Sequence, residues 1–200
     1  MSKALAVSWI ATLCLAQGAW ADHHEAPSGS SASEAAAMEA MQRAGAVTAS
    51  HGRLANSAGV FKATMRSWTS PDAPPIVSAM EVRREMTLGG RVLEETWTGE
   101  VFGMSFVGVG RTGYDNITGR YWSTWTDNTS TGVFISYGEW DEDAQRFVFQ
   151  GELTDPISGQ PMPTRMVSTY PSEDEETMTM YQAQGGQEVK AMAARLVRQR

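Results

Sequence analysis

Beyond position 14 the chain contains no cysteine, and Cys14 sits inside an apolar N-terminal run. Once that run is removed, disulfides, thiol nucleophiles and thiolate metal sites are all excluded. Histidine is scarce: His23, His24 and His51 are the only three, all ahead of the first expected strand. Basic charge is short as well. Lys and Arg total 16 against 23 Asp and Glu, a net charge of -7, with no basic stripe to neutralise phosphates. Nucleic acid is therefore not an expected partner. After the N-terminus no apolar run is long enough to form a transmembrane helix. Nucleophile elbows of the Gly-x-Ser-x-Gly kind are missing, as are glycine loops that open a helix for a nucleotide. Gly108-Val-Gly-Arg-Thr-Gly113 has the dinucleotide spacing, but it lies within a strand pattern and opens no helix. No catalytic residue, cofactor or metal is assigned on these grounds.

What is present is the composition of a globular protein, 42% hydrophobic and 20% charged over 200 residues. That length suits one domain with short extras. Lys3, the apolar stretch from Ala4 to Ala16 and the small-x-small site Ala19-Trp20-Ala21 have the three parts of a secretory signal. Cleavage near Ala21 would place the mature chain in the periplasm or outside the cell. Residues 1–21 are thus read as a signal peptide and 22–33 as a disordered polar tail. In that tail His24 would stand third from a free amine. This is the arrangement of a square-planar Cu(II) or Ni(II) site; it is also what an ordinary solvated tail end contains. Residues 34–58 are Ala-rich and read as a helical lead-in with Ser33 as N-cap. Gly45 and Gly52 divide it into short pieces that pack on or plug the domain.

From Gly59 the hydrophobic period becomes two, and turn residues recur about every ten positions. Ten strands are expected, near 60–68, 77–88, 91–102, 104–114, 120–126, 133–140, 146–153, 162–170, 177–182 and 188–198. Short strands with hairpin-length connections and no long crossover predict an all-β, antiparallel up-and-down barrel of about ten strands, lipocalin-like, over residues 59–200. Gly89-Gly90 and Gly185-Gly186 read as primed two-residue turns. Asp115–Gly119 and Asp155–Gly159 share another plan, in which an Asp side chain starts the turn and a Gly takes the left-handed exit. Glu173-Asp-Glu-Glu176 reads as a solvated turn.

Several of these segments also match a known pattern. Gly89-Gly90-Arg91, Phe102-Gly103-Met104, Gly113-Tyr114-Asp115-Asn116, Ser123-Thr124-Trp125 with Asp127, Asp155-Pro156 with Gly159, and Arg198 occur in order. Together, from about His51 to Arg198, they resemble the bacterial domain-of-unknown-function family numbered 1579. The resemblance implies a compact, often exported lipocalin-like β domain with no established activity and no catalytic residues to carry over. The chain departs from that pattern at Phe61, usually Trp; at Ser105, usually Pro; and at Ala193, where an acidic residue is usual.

Turn geometry supplies the candidate site. A turn at Gly89-Gly90 sets Leu88 opposite Arg91, so paired numbers sum to 179. One face then carries Met86/Leu93, Arg84/Glu95, Val82/Trp97 and Met80/Gly99. It is the apolar face and should point inward. Arg84 and Glu95 oppose each other directly, about 5 Å apart at Cβ, a good distance for an ion pair. A buried pair is costly. It is either a polar anchor for a ligand, Arg84 meeting an acidic head group, or a structural pair closing one mouth. The next turn sets Asp115 opposite Arg120, so Tyr114/Tyr121, Thr112/Ser123, Gly110/Trp125 and Gly108/Asp127 share a face. Gly108 and Gly110 would make room for Trp125, as core filler or as the wall of a ligand site. Nine methionines in the β region suit a soft lining or plain core. The candidate ligand-binding residues are Arg84, Glu95, Trp97, Tyr114, Trp125 and Asp127. The leading expectation is an exported barrel that holds a small, largely apolar ligand. The alternatives are an acid–base enzyme using Glu95 and Asp127, with one pKa raised, and an envelope structural or interaction module with a solid core.

Overall fold

The computed structural model describes residues 30–200. The proposed signal peptide, most of the polar tail and the His23–His24 pair lie outside the described residues. The chain divides into two units, one ending at Met38 and one running Glu39–Arg200. Two helices come first, α1 (Ser30–Gly45) and α2 (Ala49–Ala55). Helix α1 begins ahead of Ser33, so Ser33 lies inside it and caps nothing. It ends at Gly45 as expected, whereas Gly52 lies within α2 and breaks no helix. Every residue from Ala32 to Gly45 is exposed, so α1 buries no face. Among the described residues the plug is α2, which buries His51 and Leu54.

All ten expected strands are present: β1 (Gly59–Ser67), β2 (Ile76–Thr87), β3 (Val92–Val101), β4 (Met104–Asp115), β5 (Arg120–Asp127), β6 (Phe134–Asp141), β7 (Arg146–Thr154), β8 (Pro161–Ser172), β9 (Glu175–Gln184) and β10 (Gln187–Arg198). Each pairs antiparallel with its neighbour in sequence, and β1 pairs with β10 to close the barrel. Closure removes the free edges that an open sheet of this size would expose. Alternation places the core inside. Val82 and Leu196 are fully buried, with Phe61, Met80 and Trp97 around them.

Both inferred registers hold residue for residue. Arg84 pairs with Glu95 and Val82 with Trp97; Asp115 pairs with Arg120 and Gly110 with Trp125. The β2–β3 turn is wider than two residues, because the ladder ends at Thr87 and Val92. The Thr87 carbonyl accepts from both Gly90 and Arg91 amides. Leu88 joins Gly89 and Gly90 at positive φ. One residue leaves the ladder on each side, so the sum of 179 survives. At β3–β4 the turn is Phe102-Gly103, both at positive φ between Val101 and Met104.

The Asp-led turns form as expected. Asp115 accepts from Ile117 N–H and Thr118 Oγ1, each at 2.8 Å. Asp155 accepts from Ile157 and Ser158 amides at 2.7 and 2.9 Å. Gly119 and Gly159 both take φ +69. Glu173-Asp-Glu-Glu176 is only half a turn. Glu175 opens β9, and Glu176 points into the barrel with 4% of its surface exposed. The parity of β9 requires this, since Glu176 shares a face with Met178, which packs on the core.

Candidate functional site

The ends of the barrel differ. At the end carrying the β2–β3, β4–β5, β6–β7 and β8–β9 turns, α2 lies over the mouth. Leu54 joins Leu93, Tyr121, Phe147 and Phe149 in a buried apolar cluster. Polar contacts at the rim hold the helix segment down. Asn116 Nδ2 donates to the carbonyls of Arg43, Ala44 and Ala46 at 2.8–3.1 Å. Arg91 Nε donates to the Gly45 carbonyl at 2.9 Å. Tyr121 donates to the Ser50 carbonyl at 3.1 Å. Across the mouth Arg53 pairs with Glu142 at 2.9 Å, and Arg198 Nη2 donates to the Asn56 carbonyl at 2.8 Å.

His51 is part of this seal and is 3% exposed. Its Nδ1 accepts the Thr48 N–H at 3.1 Å, and the ring meets Tyr114 edge-on at 5.9 Å. Burial holds its pKa below the ordinary 6.5, with Arg91 adding to the effect and a hydrogen bond to the Tyr114 backbone opposing it. A protonated Nδ1 could not accept from Thr48, so docking favours the neutral ring. The unfolded chain therefore takes up this proton at higher pH than the folded one. The stability His51 contributes is complete above pH 6.5 and is lost as pH falls from there through the lower folded value. Hydrogen exchange of the Ser50–Leu54 amides is expected to accelerate across that window and to show no such step in His51→Gln. The carboxylates at Asp115, Asp127 and Asp155 are held below their ordinary 3.8, so their contribution is lost only in more acid solution.

Beneath α2 lies an internal cavity of about 70 Å³. Arg84 and Glu95 reach it from β2 and β3, and Glu176 from β9. Arg84 Nε donates to Glu95 Oε2 at 2.8 Å, and Arg84 Nη1 donates to Glu176 Oε2. Trp97 Nε1 donates to the same Glu95 oxygen at 3.1 Å. The side chains of Arg84 and Glu176 are 6% and 5% exposed. Burial alone would pull the Arg84 pKa down; Glu176 and Glu95 overcome it and push the value up, so the guanidinium stays charged. Tyr170 stands at the edge of the cavity and takes a hydrogen bond from Ser57 at 3.4 Å. Burial first, and then the charge of Glu176, raise its pKa and keep the phenol neutral.

An outer groove of about 790 Å³ runs beside α2, lined by Arg53, Trp140, Glu173, Asp174 and Arg198 among others. Ser57, Phe147 and Tyr170 line both groove and cavity. The Trp140 indole N–H is buried there without a hydrogen-bond partner among the described residues.

The six candidates of the sequence do not form one site. Arg84, Glu95 and Trp97 come together. Tyr114 belongs to the seal, in edge-to-face contact with both His51 and Tyr121. Trp125 and Asp127 lie towards the other end. Trp125 packs edge-on to Trp97 at 6.2 Å and stacks on Phe106 at 6.5 Å. A Cβ on Gly108 would overlap its six-membered ring. Asp127 accepts from Trp125 Nε1 and Thr129 N–H, each at 2.9 Å. Burial would raise the Asp127 pKa, but a hydrogen bond from the Thr129 hydroxyl at 2.5 Å, with those from Trp125 and the Thr129 amide, outweighs it and holds the value low. Asp127 does not line the cavity that holds Glu95. Sequence reasoning missed Glu176, Tyr170 and Ser57. The signal for Glu176 was its parity with the methionines of β9, obscured by three acidic neighbours.

Among the described residues, no helix is long and apolar enough to cross a membrane, and no cluster of three or more His, Cys, Asp or Glu could hold a metal. No curated protein matches the chain. The family model described as Protein of unknown function (DUF1579) matches residues 46–198, from the lead into α2 to the end of β10. With that match covering the whole barrel and its sealing helix, the chain belongs to this family.

Proposed function

We propose that the barrel is a binding module for a small, largely apolar ligand whose polar end meets the Arg84–Glu95–Glu176 cluster, and that it works outside the cytoplasm after loss of residues 1–21. One observation carries the reading. The outer groove and the inner cavity share Ser57, Phe147 and Tyr170, so a ligand in the groove would lie next to the cavity that holds the charged cluster. The groove, at about 790 Å³, is within the range of small-molecule sites, roughly 300–1,000 Å³. Met166 and Met178 in the cavity wall supply adaptable packing.

A second reading, a solid-cored structural or interaction module, is favoured by the size of the inner cavity. About 70 Å³ is room for roughly two waters. The acid–base reading through Glu95 and Asp127 gains no support, since Asp127 does not line the cavity that Glu95 lines and its pKa is lowered.

The experiment uses N-phenyl-1-naphthylamine, a neutral apolar dye, with the purified protein. The binding reading expects saturable dye fluorescence, weakened by about tenfold or more in Trp140→Ala because that ring walls the groove. Native mass spectrometry of protein isolated without detergent should show a bound small molecule. A protein that neither carries a ligand nor binds the dye is the solid-cored module.

A further inference from the structure

From the charge and hydrogen-bond arrangement inside the barrel we infer that the polar end of the ligand is a cation, of the alkylammonium kind, rather than a carboxylate or phosphate. The inference rests on the binding reading above and specifies it further.

Arg84 is the feature that would suggest an anion, yet its charge is already answered twice. Glu95 takes Nε and Glu176 takes Nη1. One face of the guanidinium also lies 5.4 Å from the Phe61 ring centroid. An anion approaching Arg84 would meet two carboxylates flanking it. The three charges sum to one net negative charge in a site where water screens little, and the effective interaction is correspondingly strong. Tyr170 adds no charge of its own, since burial and Glu176 keep it protonated.

The rest of the wall favours the same class of ligand. Thr112, Ser123 and Ser168 line the cavity, with Thr112 Oγ1 donating to Ser123 Oγ at 3.2 Å, and Glu95 and Glu176 bring two carboxylates to it. An ammonium donates three hydrogen bonds and accepts none, which suits an acceptor-rich wall. Phe147 and Tyr170 place two aromatic rings at the junction with the groove, and a ring face attracts a cation and repels an anion. Size agrees too: about 70 Å³ admits an ammonium on a short stem, while the groove takes an apolar body.

The test displaces the neutral dye with three probes of equal length, hexylamine, hexanol and hexanoate, at neutral pH and physiological salt. Hexylamine should bind about tenfold or more tighter than hexanoate, with hexanol between. Glu176→Gln makes the cluster neutral and should shrink that ratio severalfold. Glu100→Gln, which removes an exposed charge from β3, should leave it unchanged. Hexanoate binding as tightly as hexylamine would overturn the inference and leave the binding reading intact. An equal loss of preference in Glu100→Gln would also overturn it, by assigning the preference to overall charge. If the dye binds and no probe displaces it, the inference alone falls; if the protein neither binds the dye nor carries a ligand, the binding reading falls and takes the inference with it. The wild-type series needs no variant to fold.

Discussion

Arg84→Met should destabilise the barrel by about 3–5 kcal/mol at neutral pH, the largest effect expected of any single substitution here. The cause is what the change leaves behind rather than what it removes. Glu176 is almost fully buried and Glu95 largely so, and Arg84 is the cation both carboxylates face. Without it, two like charges share an interior with little water. Urea unfolding of the variant measures the cost. Replacing all three groups together, Arg84→Met with Glu95→Leu and Glu176→Leu, should recover most of the loss, because an apolar cluster of similar volume carries no desolvation penalty. A small effect of Arg84→Met alone would show that water reaches the cluster freely.

Gly108→Ala is expected to cost about 1–3 kcal/mol through overpacking. The new methyl would point into the barrel against the six-membered ring of Trp125. That ring has little freedom to retreat, being packed against Trp97 and Phe106 and tied to Asp127 through its indole N–H. Trp125→Phe withdraws the part of the ring the methyl would strike. The double variant should therefore be more stable than the two single costs predict, by roughly 0.5–3 kcal/mol of coupling. Strict additivity would mean that Trp125 moves aside at no cost.

Most of the fold could be read from local signals. A period of two, ten turn-bounded segments and the absence of a crossover lead to a closed antiparallel barrel. Counting outward from Gly89-Gly90 and from Asp115–Gly119 reaches the correct cross-strand partners, because neither hairpin contains a bulge. The site was only half legible for a physical reason. Arg84 and Glu95 are eleven positions apart and joined by one turn, so a register rule connects them. Arg84 and Glu176 are 92 positions apart, and only barrel closure brings them together. Glu176 also follows Glu173, Asp174 and Glu175, a run whose composition is that of a solvated tip. Asp127 misled in the opposite sense. Its parity is inward, but it sits at the end of β5, where it binds the following turn.

The ion pair between Arg84 and Glu176 spans the seam of the barrel. Arg84 is on β2 and Glu176 on β9, with β1 and β10, the first and last strands, between them. Those two strands must meet last in any folding order that builds the hairpins first, and the apolar pattern alone does not dictate how they meet. Sliding β1 by one residue against β10 would turn its core face outward, which the hydrophobic pattern forbids. Sliding it by two would keep every apolar residue inside. It would also carry Arg84, still paired with Glu95, about 7 Å from Glu176 and strand that carboxylate in the interior. The buried triad thus acts as a registration mark for closure, rejecting an error that hydrophobicity cannot detect.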